Sequence, residues 1–183
     1  MSSSAPVRFV IQFVLVMAVQ AFVLNDIVIR SSLSLWGVPV FIPIIYPMVL
    51  LLLPVNTHSW LGMGLGMAVG LTMDTFSNTP GMHAAACVAL MYARPFLLNL
   101  FFQQSVKELG ETVPTLFRMG FRSFVLYAGM ALLLHHFLFY TVQIWSLKSF
   151  PYVLLKTLLS GVLSLLLLLI AQLLFARREI IRV

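Results

Sequence analysis

The chain has 183 residues, of which 61% are hydrophobic and only 9% charged, with a mean hydropathy of +1.05 and a formal net charge of +6. Water-soluble domains carry about 25% charged residues, so this chain lacks the charge to clothe a compact globule in water, and its apolar excess must face lipid. The basic residues are scattered among apolar stretches and form no continuous stripe, which excludes a nucleic-acid surface and leaves them as topology signals and contacts to membrane lipids. A lone cysteine, Cys87, excludes a disulfide or cysteine-based metal framework.

A spanning helix takes roughly 20 apolar residues, and the polar interruptions divide the chain into about six such segments. The expected architecture is a single all-α polytopic membrane domain over residues 1–183. The first segment, 7–29, meets no charge between Arg8 and Asp26. It is longer than a signal-peptide core and lacks a clear cleavage site, so it is expected to stay as a first helix. The second, 38–53, holds Pro39, Pro43 and Pro47. It is expected to be kinked or partly re-entrant, which a bilayer tolerates only where neighbouring helices cover the freed backbone.

The third segment, 60–76, runs through the short polar turn 77–81 into the fourth, 82–102, making an antiparallel hairpin. Residues 103–114, with Lys107, Glu108 and Glu111, form the most water-loving stretch and read as an exposed loop or interfacial helix. The fifth segment covers 116–144. The sixth, 152–175, is a leucine-rich run expected to face lipid, followed by the basic tail Arg177-Arg178.

Lys and Arg counts set the orientation. With both termini cytoplasmic, that side holds Arg8, Lys107, Arg118, Arg122, Arg177, Arg178 and Arg182, against Arg30, Lys148 and Lys156 opposite. Arg94 lies inside the fourth segment and is expected to snorkel to the cytoplasmic face.

Small residues organise the hairpin. Gly62, Gly66 and Gly70 recur every fourth residue, and Gly81, Ala85, Ala89 and Ala93 answer on the next segment. Such rows let helix backbones approach closely, so the two rows are expected to pack against each other or against a third helix. A phosphate-cradling glycine loop is excluded, because neither a preceding strand nor a following Lys is present.

Asp74 is the one acid between Asp26 and Glu108. Two roles fit it: a clasp on the turn around Ser77 and Thr79, or a transport or proton-relay group, since an ionisable residue within a span is a functional candidate by default. His83 and Arg94 are eleven residues apart and share a helix face, yet roughly 16 Å of axial rise separates them. His135 and His136 point about 100° apart on a helix, a poor arrangement for one metal ion, and are expected near the interface. Asn25, Asp26 and Arg30 mark the emergence of the first segment, and Trp36, Trp60 and Trp145 fall near helix ends as interface anchors do. No nucleophile has a base beside it and no metal signature occurs. The expected class is a non-enzymatic protein without a cofactor.

The stretch from Gly66 to Ala84, GMAVGLTMDTFSNTPGMHA, resembles the rod shape-determining MreD family. Gly70, Leu71, Asp74, Ser77, Gly81, His83 and Ala84 match that family's pattern of a glycine-leucine pair, an aspartate, a short turn and a glycine-x-histidine-alanine start to the next helix. The length, the proline-bearing second segment and the basic tail are also similar. The resemblance implies a subunit of the bacterial cell-elongation machinery in the cytoplasmic membrane. It would bind MreC and, with it, assist the RodA glycosyltransferase and its penicillin-binding transpeptidase in lateral-wall peptidoglycan synthesis, coupled to the actin-like MreB. The family's likeness to the six-helix substrate-binding subunits of energy-coupling-factor transporters implies an alternative, a vitamin-binding subunit.

Overall fold

A computed structural model of the chain describes residues 4–25, 42–102 and 112–180. Among these residues every regular element is helical. Helix α1, Ser4–Val19, continues into a π turn, Gln20–Leu24. After the extended residues 42–45 comes a five-residue helix α2, Pro47–Leu51. There follow α3, Ser59–Ser77, α4, Met82–Phe101, a short α5, Leu116–Met119, α6, Phe121–Ile144, and α7, Phe150–Ile180. Loop residues 103–111 and the markers Asp26, Arg30 and Trp36 lie outside the described residues.

Among the described residues three helices are long and apolar enough to cross a membrane: Met82–Phe101, Phe121–Ile144 and the Phe150–Leu174 part of α7. The other expected spans differ from a plain apolar helix, each for a physical reason. In the first segment, Phe13–Leu24 is a shorter apolar helix. The third, α3, has the length, but four glycines, Asp74 and several hydroxyls dilute it. The described part of the second, 42–53, is helical only at Pro47–Leu51, because Pro43 and Pro47 lack the N–H groups a helix ladder needs. Pro47 instead takes the first position of α2, where a missing N–H costs nothing. The expected fifth segment is divided at Gly120, whose φ of +78° breaks the helix between α5 and α6.

Helices α3, α4, α6 and α7 pack side by side in that order. The broken segment lies against α4 and α6, and α1 packs over α2. Val16 and Met17 of α1 join Ile44, Tyr46 and Leu50 of the broken segment, Met73, Cys87 and Leu90 of the hairpin, and Phe124 and Tyr127 of α6 in one continuous core.

The hairpin is the closest contact. A Cβ on Gly70 would run into the Ala84 backbone, and one on Gly66 would stand 2.9 Å from the Cys87 carbonyl oxygen. At Gly62 the obstacle is only the flexible Met91 methyl. The partner face of α4 is therefore Ala84, Cys87 and Met91, and not the expected row: Ala85 is exposed, Ala89 half-buried, and Gly81 has open space around it. One residue turns a helix by about 100°, so a register displaced from Ala85 to Ala84 rotates the alanine row off the contact. Gly81 serves the turn instead, with φ +81° at the N-cap of α4, opposite Asn78 in the left-handed conformation at the end of α3.

Candidate functional site: a polar clamp inside the bundle

Glycine at the N-cap of α4 offers no side chain to its first amides, and four N–H groups at a helix start need partners. Asp74 supplies partners for two of them from the preceding helix. One carboxylate oxygen accepts from the His83 amide at 2.9 Å and from the Thr79 hydroxyl at 3.0 Å, and the other from the Ala84 amide at 3.0 Å. A carboxylate at a helix N-terminus also meets the positive end of its dipole. Ser77, on the same turn, accepts from Asn25 Nδ2 at 3.0 Å and so ties the end of the first segment to the hairpin. Asn25 is thus a contact within the bundle as well as a boundary marker.

The broken segment poses the larger accounting problem, since inside a bilayer each free backbone group costs several kcal/mol. Side chains from four elements answer it. Gln20 donates to the Pro43 carbonyl at 3.1 Å and accepts from the Ile45 amide at 2.7 Å. Ser160 and Ser164 of α7 accept from the amides of Ile42, at 3.2 Å, and Ile44, at 3.0 Å. Farther along, the Leu51 carbonyl accepts from the Tyr127 hydroxyl at 3.0 Å, and Arg94 donates to the carbonyls of Leu51, Leu53 and Pro54.

Between these two ends stands Tyr46, fully buried, its hydroxyl 2.8 Å from His83 Nδ1 and 2.8 Å from His135 Nε2. A hydroxyl has one proton to give and lone pairs to accept with, so it donates to one imidazole and accepts from the other. Cys87 Sγ lies 3.7 Å from the same oxygen, and Phe139 stacks on His83 with ring centroids 4.4 Å apart. His136 faces elsewhere: its Nδ1 donates to the Leu132 carbonyl at 2.7 Å, which leaves Nε2 to accept from Ser164 at 3.2 Å.

His83 and Arg94, which share one face of α4, thus hold opposite ends of one element, with His83 on Tyr46 and Arg94 at Leu53. Three expectations are corrected by this. Arg94 does not snorkel: it is 1% exposed and directed at backbone carbonyls, because the freed C-terminal end of α2 offers it acceptors inside the protein. His135 and His136 are fully buried rather than interfacial, because Tyr46 engages His135 and the Leu132 carbonyl and Ser164 engage His136 inside the bundle. Lys156, counted as a flanking charge, is also fully buried, its Nζ 3.3 Å from Gln143 Oε1 and 4.5 Å from the Tyr140 ring centroid.

Sequence reasoning missed Gln20, Tyr46, Tyr127, Ser160 and Ser164. A signal was present for the serines. Lys156, Ser160, Ser164 and Gln172 stand at multiples of four residues in the leucine run and are buried, while Leu158, Val162, Leu166 and Ile170 are exposed. Among the described residues no group of three or more His, Cys, Asp or Glu is placed to hold a metal ion. Three buried polar atoms there lack a partner, Arg94 Nε, His135 Nδ1 and Thr157 Oγ1. In comparisons with known proteins, no family model, curated protein or solved structure matches the chain.

Proposed function

We propose that the chain is a non-catalytic membrane scaffold of the bacterial cell-elongation complex, of the MreD kind. It binds MreC through the membrane and thereby supports RodA and its penicillin-binding transpeptidase in lateral-wall peptidoglycan synthesis. In this reading it sits in the cytoplasmic membrane, crosses it six times and keeps both ends in the cytoplasm, with the broken segment as one of the passes.

One observation carries the proposal. Among the described residues, apart from the Thr157 hydroxyl, the buried polar side chains are engaged with the protein's own backbone or side chains. Proteins that move a solute through lipid turn such groups toward its path, whereas here they hold the protein's own elements together, and partner helices meet the apolar outer faces. The residues of the MreD-like pattern also act as one unit: Gly70 against Ala84, Asp74 on the amides of His83 and Ala84, Ser77 on Asn25, and His83 on Tyr46.

The test is co-purification of the full chain with MreC from mildly solubilised membranes, alongside replacement of MreD in a rod-shaped bacterium. Stable recovery of MreC and restored rods are expected. Absence of MreC together with tight binding of a water-soluble vitamin would overturn the proposal in favour of a transporter subunit.

A further inference from the structure

Lys156 stands six residues into α7, about 9 Å along its axis, and its side chain reaches the last turn of α6, where Gln143 Oε1 accepts from it. Its ammonium lies 4.5 Å from the Tyr140 ring centroid and 6.0 Å from that of Tyr152. Trp145, 81% exposed, and the exposed Phe150 mark the same end, in the manner of the aromatic belt at a membrane boundary. The ammonium is therefore held toward the end of the bundle that these aromatic residues mark.

Among the described residues its partners do not neutralise it. An ammonium has three protons to donate, and the acceptor here is one neutral amide. Asp74, the acid whose side chain is described, is engaged by Thr79, His83 and Ala84. The Tyr140 hydroxyl donates to Ser160 at 2.9 Å, so that ring offers the cation only its face. A desolvated cation so held favours an anionic partner. The way to it is past Gln143, which is exposed and able to turn.

We propose that Lys156, Gln143 and the Tyr140 ring form a site for the phosphate of a phospholipid headgroup at this boundary. Phosphate oxygens take the free ammonium protons, and the Gln143 amide donates to a further oxygen.

Native mass spectrometry of the full chain tests this with phosphatidylglycerol titrated against an uncharged glucosyl diacylglycerol. The wild type should prefer phosphatidylglycerol by about fivefold or more, the effect of one basic residue near an anionic headgroup. Lys156→Arg should keep the preference and Lys156→Met should abolish it. An undiminished preference in folded Lys156→Met overturns the proposal. Should that variant not fold, an undiminished preference in Gln143→Ala, altered at an exposed position, overturns it equally. Displacement of the lipid by millimolar inorganic phosphate overturns the lipid source and leaves a site for soluble phosphate.

Discussion

Glycines on one helix make opposite demands on a methyl group. At Gly70 the obstacle is the Ala84 backbone, which cannot swing aside, while at Gly64 nothing lies within 4 Å. Gly70→Ala should destabilise by about 3 kcal/mol through overpacking. Gly64→Ala should be neutral or stabilising by up to about 1 kcal/mol, the helix-propensity difference. Thermal melts of the two variants in one detergent check the opposite signs. Asp74→Asn places an amide donor among three donors and should cost about 1–3 kcal/mol, seen as a lowered Tm with a proportionate loss of function. A variant that folds at wild-type stability yet loses all function would instead speak for proton relay. The spacing of Gly62, Gly66 and Gly70 made the close approach legible. The partner on α4 was not, because a row of alanines carries no mark of which neighbouring register, 84 or 85, meets the glycines.

At the scale of the element, residues 42–55 are held at two separable ends. Tyr46→Phe leaves His83 and His135 without the oxygen between them and should cost about 1–3 kcal/mol. Hydrogen exchange should quicken at the amides of Ile44 and Ile45 more than at Leu53. Arg94→Met should do the reverse, exposing the carbonyls of Leu51, Leu53 and Pro54 and quickening exchange at Leu53 and Val55. Uniform quickening in both variants would refute independent clamping. The prolines at 39, 43 and 47 announced a break, and bilayer chemistry announced that neighbours must cover it. Which neighbours was hidden, because Tyr46, Ser160 and Ser164 look ordinary until the fold brings them together. Arg94 and His135 misled for a related reason. Polar residues in a span suggest the interface unless an internal element offers them acceptors, and that element is recognisable only by its lack of a helix.

Across the whole molecule, Cys87 reports on the packing of α4 against α3 and α6. Its thiol is fully buried beside Tyr46 and His135. A thiol-reactive maleimide should leave the folded protein unlabelled and react as the bundle opens, with the labelling midpoint falling in Gly70→Ala. Rapid labelling at low temperature would contradict the core arrangement. The broken segment also bears on how such a chain enters a membrane. Apart from Gln20, its partners follow it in the sequence: His83 by 37 residues, His135 by 89, Ser160 and Ser164 by about 120. Emerging from the ribosome, residues 42–55 meet only Gln20 among the side chains that make them tolerable in lipid. They must wait at the surface or within the insertion machinery until α4, α6 and α7 are in place, so the order of synthesis is not the order of burial. Helix α7, made after the other helices of this bundle, completes the second segment.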